Sequence, residues 1–81
     1  MNDIRLEIVS PVKTVVTTTV DSVTLPGTKG LFQVLKDHAP LISSLEQGDI
    51  IWVSGGREER LTISSGFVEV GSNKVTACVE I

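Results

Sequence analysis

The sequence predicts an all-β fold of nine or ten short strands, arranged as a sandwich. Three observations carry that prediction. Val, Ile and Thr recur throughout the 81 residues, and their stiff, branched side chains suit a pleated surface better than a helix. Turn-forming residues punctuate the chain at short intervals, and no segment keeps a helical period over roughly ten residues. The run Ile50-Ile51-Trp52-Val53 is apolar on both faces, which reads as a strand covered on both sides and favours a sandwich over a closed barrel with strict alternation.

The elements follow in order. Ile4, Leu6 and Ile8 alternate with Arg5 and Glu7, so one strand face is apolar and the other charged. Ser10-Pro11 interrupts it. The Val- and Thr-rich run from Val12 to Val20 continues through Val23-Thr24-Leu25 until Pro26-Gly27 forces a turn. Gly27-Thr28-Lys29-Gly30 forms a loop tip whose glycines permit positive φ and pack nothing. Leu31 to Leu35 is a strand, Lys36-Asp37-His38 carries the chain round to Ala39-Pro40, and Leu41 to Leu45 is the next strand. Gln47-Gly48-Asp49 turns into Ile50 to Val53, and Ser54-Gly55-Gly56 signals a hairpin before Leu61-Thr62-Ile63. Gly66 to Val70 and Val75 to Val79 close the fold as a hairpin across Gly71-Ser72-Asn73-Lys74.

At this length residues 1–81 make one domain, because a second core could not be built from the remainder. The net charge of −3 argues against nucleic acid, whose phosphates demand concentrated Lys and Arg. Arg57 and Arg60 stand close together only with Glu58 and Glu59 between them. Cys78 is the single cysteine, so neither an internal disulfide nor a Cys-x-x-Cys pair can form. No run approaches the roughly 20 apolar residues of a membrane helix, and the opening Met1-Asn2-Asp3-Ile4-Arg5 lacks the pattern of a secretory signal. The chain reads as soluble, with any membrane association made through other proteins.

Candidate chemistry is sparse. His38 has Asp37 beside it, but neighbours on a turn usually point apart, and no Ser sits in the Gly-x-Ser-x-Gly setting of a nucleophile. A turn histidine satisfied by a backbone carbonyl or water is the plain alternative to an interface histidine. Gly27-Thr28-Lys29-Gly30 fails as a phosphate loop because no helix follows. The carboxylates Asp21, Asp49, Glu58, Glu59, Glu69 and Glu80 are scattered over turns and strand exteriors. No catalytic residue, metal ligand or cofactor is assigned. Trp52 and Phe67 are expected in the core, with Phe32 left between core and contact surface.

The order of the motifs is the most specific signal. Gly30-Leu31-Phe32 leads into His38-Ala39-Pro40-Leu41, then Glu46-Gln47-Gly48-Asp49-Ile50, then Ser64-Ser65-Gly66-Phe67-Val68. With Leu6-Glu7-Ile8-Val9-Ser10-Pro11 at the start, this order resembles the N-terminal domain of the rotary ATP synthase epsilon subunit. The resemblance implies a flattened β-sandwich of about ten mostly antiparallel strands. It also implies a non-catalytic rotor subunit in the central stalk of a proton-translocating ATP synthase, placed between the gamma subunit and the c-ring. That would put the chain, peripheral and indirectly held, at the cytoplasmic face of a bacterial inner membrane. Ser10, His38, Ala39, Pro40, Leu41 and Ser43 would meet gamma. Thr28, Lys29, Gly30 and Leu31 would approach the c-ring.

Three departures from the family pattern stand out. Lys36-Asp37 occupies the place of a usual Pro-Gly before the histidine, and Leu31 stands where relatives often carry a polar or acidic residue. The sequence ends at Ile81, where relatives continue into a helical hairpin. The expectation is a natural short form without hairpin-based inhibition or ATP binding. A different function class, a small β-barrel module binding an oligosaccharide or single-stranded nucleic acid, shares the short-strand pattern. It needs clustered aromatics or a basic groove, and aromatics make up only 4% of this chain.

Overall fold

The structure is a computed structural model that describes residues 3–81, so Met1 and Asn2, where the absent secretory signal was read, lie outside the described residues. It contains nine strands and no helix among those residues: β1 (Ile4–Val9), β2 (Thr14–Val20), β3 (Ser22–Gly27), β4 (Gly30–Val34), β5 (Leu41–Leu45), β6 (Gly48–Ser54), β7 (Arg57–Ile63), β8 (Ser65–Gly71) and β9 (Lys74–Glu80). They form one continuous hydrogen-bonded path, β2-β1-β9-β8-β5-β3-β6-β7, with β4 on β3. The β5–β3 link is a single residue pair, Gly27 with Leu45, and there the path curls into two halves. The result is flattened, with Cα extents of 29 × 23 × 18 Å, as expected for two sheet layers packed about one side-chain layer. Every pairing is antiparallel except β1 with β9, which runs parallel.

One core fills the space between the halves. Ile4, Leu6, Ile8, Val68, Val70, Val75, Ala77 and Val79 come from one side, and Val23, Leu25, Val34, Ile50, Trp52 and Ile63 from the other. Complete burial of such a side chain stabilises by roughly 1.5–3 kcal/mol before the conformational entropy is counted. No buried polar or charged side chain interrupts this core among the described residues, so its packing needs no internal hydrogen-bond partners.

Several local expectations are corrected. The Val12 to Leu25 run divides at Asp21: β2 pairs with β1, whereas β3 pairs with β4, β5 and β6. Asp21 marks the crossing with its N–H donated to the Val53 carbonyl at 2.7 Å. Pro26-Gly27 is not the turn but the end of β3, paired with Leu31 and Gly30; Thr28-Lys29 makes the turn. Gly27 is there for close approach, since a Cβ would lie 2.8 Å from the Gly30 carbonyl oxygen and 2.9 Å from the Phe32 ring. Ile50 to Val53 is not covered on both sides: Ile50 and Trp52 are buried, while Ile51 and Val53 are half-exposed opposite Arg60 and Glu58. Phe67 is outside the core, because its β8 parity is opposite to that of the buried Val68 and Val70.

Candidate functional site

The histidine loop joins β4 to β5 and is fixed by local hydrogen bonds. Asp37 holds φ at 64°, a left-handed conformation that glycine, Asn and Asp tolerate best. The His38 N–H donates to the Leu35 carbonyl at 3.1 Å, closing the turn. The ring Nδ1 lies 2.7 Å from the Ala39 carbonyl; a carbonyl only accepts, so Nδ1 carries the proton and donates. His38 is therefore half-exposed and satisfied by backbone.

A second restraint on the loop has no counterpart in the sequence analysis. The Asp37 N–H donates to Asn73 Oδ1 at 2.6 Å, and Asn73 Nδ2 donates back to Asp37 Oδ1 at 3.1 Å. Asn73 itself sits at φ 58° in the two-residue turn between β8 and β9. Two left-handed turns, 36 residues apart, are clasped by a reciprocal pair. Only the β5–β8 pairing and the β8–β9 hairpin bring them together, so sequence spacing holds no signal for it.

Part of each predicted contact set lines one groove. Lys29, Gly30 and Leu31 of the β3–β4 tip and His38, Leu41 and Ser43 line a shallow depression of about 330 Å³, together with Gly27 and Phe32. Thr28 donates its N–H to the Ser44 carbonyl at 3.1 Å, tying the tip to β5. Leu31 is 75% exposed, whereas Leu41 packs partly against the core. Ala39 is exposed beside the groove, and exposed Pro40 lines a neighbouring depression with Glu69 and Thr76. Ser10 lies elsewhere. Its N–H and hydroxyl both reach the Lys13 carbonyl, at 2.8 and 3.3 Å, and close the β1–β2 turn.

A further surface was missed from sequence. Cross-strand register aligns Ser44, Phe67, Cys78 and Val9 over β5, β8, β9 and β1 on the outer face. Phe67 is 56% exposed there and Ile42, opposite Glu69, is 74% exposed. Strict alternation along Phe67-Val68-Glu69-Val70 was the available clue.

The opposite outer face is charged and internally bonded. Arg60 bridges Asp49 and Glu58, each at 3.1 Å, and the Thr62 hydroxyl donates to Asp49 at 2.6 Å. The Thr62 hydrogen bond, then Arg60, holds the Asp49 carboxyl below its ordinary pKa; Glu58 and then Asp49 raise that of Arg60. Among the described residues, no three of His, Cys, Asp and Glu converge as a metal-binding group. Trp52 is buried, Phe32 half-buried and Phe67 on the far face, so the three aromatics build no stacking platform.

A model of the family described as "ATP synthase, Delta/Epsilon chain, beta-sandwich domain" matches residues 3–81. Curated relatives named ATP synthase epsilon chain include one from Maridesulfovibrio salexigens, 41% identical over 76 residues, covering 94% of this chain and 54% of the relative. Another, from Magnetococcus marinus, is 42% identical over 77 residues, covering 95% and 56%. The chain thus spans about half the length of the curated relatives it matches. Among solved structures, a chain of the Euglena gracilis mitochondrial ATP synthase (OSCP/F1/c-ring, rotational state 1) superposes with a TM-score of 0.90 at 22% identity, covering 98% of this chain and 51% of that one. A chain of the Tetrahymena thermophila mitochondrial ATP synthase central stalk/c-ring gives 0.81 at 12% identity, covering 98% and 64%. At such identities these likenesses concern the fold alone.

Proposed function

The chain belongs to the ATP synthase delta/epsilon-chain β-sandwich domain family, and from that premise we propose that it is a non-catalytic subunit of the central stalk of a proton-translocating rotary ATP synthase. In this reading it binds the gamma subunit and the c-ring and turns with them. The observation that carries it is the unbroken family match over all the described residues. A close-packed sandwich suits the task, because such interiors deform little under load. The chain is then peripheral to a membrane-associated complex, on the cytoplasmic side in a bacterium.

The shared groove refines the assignment of contacts. In this reading Thr28, Lys29, Gly30 and Leu31 face the c-ring, and His38, Ala39, Pro40, Leu41 and Ser43 face gamma, with Ser10 a separate outlying gamma contact. Gamma and the ring would then meet the domain at adjoining positions, which is the arrangement a wedge at their junction requires. The clasped Asp37–Asn73 pair supports this role by ordering the His38 loop before any partner arrives.

Co-expression with the gamma subunit of the same organism, tagged on gamma, tests the reading. Co-elution at moderate salt is expected. His38→Ala with Ser43→Trp should weaken it by about tenfold or more while leaving the melting temperature within a few degrees. An untagged chain that never accompanies gamma would defeat the assignment.

A further inference from the structure

The His38 loop, residues 35–40, is held to the rest of the domain at one point. Leu35, Lys36, Asp37, Ala39 and Pro40 are exposed, and His38 is half-exposed. The bonds of His38 stay inside the loop, to the carbonyls of Leu35 and Ala39. Beyond the strand ladders, the hydrogen bonds that leave the loop among the described residues both end on Asn73. A depression of about 360 Å³, lined by Pro40 of the loop and by Gly71, Ser72 and Lys74 of the β8–β9 turn, lies between the two segments.

The two sides of the clasp are unequally anchored. Ser72 and Asn73, at φ 50° and 58°, are the paired left-handed residues of a two-residue hairpin turn, and β8 and β9 stay in register right up to Gly71 and Lys74. The Asn73 carbonyl is held as well, accepting the Arg5 N–H at 2.9 Å. The turn is therefore the fixed side. Asp37 sits at φ 64°, a conformation that an open loop is free to leave. Opening breaks two exposed hydrogen bonds and uncovers no fully buried side chain, which puts this loop at the low-stability end of the molecule.

We propose that Asn73 is the latch of the His38 loop: the loop exchanges between an arrangement closed on the β8–β9 turn and an open one, and the Asn73 carboxamide sets the balance. Both ends of the carboxamide are needed, since Oδ1 takes the Asp37 N–H while Nδ2 gives to the Asp37 carboxylate. One consequence rests on the reading of the loop as a gamma contact. A partner that binds the closed loop binds more weakly by the fraction of chains left open, so Asn73 governs an interface to which neither contact set assigns it.

The 81-residue chain, 15N-labelled, decides the latch without a partner. In the parent chain the amides of residues 36–39 should show order parameters near the rigid value of about 0.85. Asn73→Gly keeps a residue suited to positive φ and the carbonyl that serves Arg5, but removes both latch bonds. The loop values should then fall below about 0.6, while those of Arg5 and β9 hold. Asp37→Gly keeps the N–H of residue 37 and one of the two bonds, so its fall should be smaller. The double variant should be no looser than Asn73→Gly, because both changes act on one element. Asn73→Asp retains the acceptor and the tolerance of positive φ but sets carboxylate against carboxylate, and at neutral pH it should loosen the loop too. An ordered loop in Asn73→Gly, or a loosening that spreads through β8 and β9, would overturn the latch. Tagged gamma supplies the second arm, in which Asn73→Gly should weaken binding by about tenfold. A loosened loop with undiminished gamma binding would overturn the link to the interface. A parent chain that never binds gamma would defeat the rotor reading instead, with the latch still decided by the order parameters.

Discussion

The two outer faces of the sandwich are built from similar strands and finished in opposite ways. On β6 and β7, the outward Ile51 and Val53 stand opposite Arg60 and Glu58, and Arg60 is drawn across Asp49 and Glu58. The long stem of an arginine can cover apolar surface while its head stays in water. On β1, β9 and β8, the outward Val9, Cys78 and Phe67 are neighbours of one another; the cations of that face, Arg5 and Lys74, stand beyond the adjoining Glu7–Glu69 row, and no ion pair found among the described residues crosses the apolar row. The contrast shows that outward apolar residues are unremarkable when a charged neighbour shelters them. They indicate contact with another molecule when the neighbours leave them in a continuous row.

The strongest challenge to this comparison is whether the faces rest on one core. Trp52→Ala removes a large buried side chain beneath the charged face and should cost about 3–5 kcal/mol. Urea unfolding followed separately by probes on β7 and β9 should still give one transition, since both faces share the cluster. Divergent midpoints would divide the molecule into independent halves.

Gly66→Ala tests the apolar side more locally. A Cβ at Gly66 would lie 2.5 Å from the Cys78 carbonyl oxygen and 3.1 Å from Val79 Cα, both backbone atoms that cannot turn aside. The β8–β9 pairing must open, with an expected loss of roughly 2 kcal/mol and a fall in melting temperature of the order of 10 °C. A melting curve matching the parent chain would contradict this packing.

Surface substitutions should separate the faces without unfolding either. Phe67→Ser is expected to change stability by no more than about 0.5 kcal/mol and to reduce binding of a hydrophobic dye. Arg60→Ala should do the reverse, raising dye binding by uncovering Ile51. If both variants moved dye fluorescence in the same direction, the sheltering argument would fail.

The smallest effect is a matter of pH. Asp49 is held below its ordinary pKa by the Thr62 hydroxyl first and Arg60 second. Its contribution to stability is therefore complete above the ordinary carboxylate range and is lost as pH falls through the depressed value, below about pH 4. Asp49→Asn should flatten that acid limb slightly in pH-dependent melts, leaving the neutral range unchanged in slope.

Legibility from sequence followed the range of the forces involved. The Ile4, Leu6, Ile8 alternation, the Gly55-Gly56 turn and the final hairpin were evident because neighbours a few residues apart determine them, and the glycines do hold positive φ. Pro26-Gly27 misled because a local turn signal was overridden by packing, with the Phe32 ring against Gly27 and Pro26 against Gly48. Phe67 was assigned by residue type when its parity in the strand said otherwise. The Asp37–Asn73 clasp, the shared groove and the outward row of Val9, Cys78 and Phe67 depend on which strands become neighbours. No short-range pattern records that.

The parallel pairing of β1 with β9 has a consequence for how the chain matures during synthesis. Arg5 to Val9 find their register against Lys74 to Cys78, so the first strand of the domain waits for its ninth. Loop closure of that length is slow, and until it happens the inner face of β1 has only β2 beside it. Until β9 is available, Ile4, Leu6 and Ile8 lack their final sheet neighbour, which makes this domain one that completes its core only in its last strand.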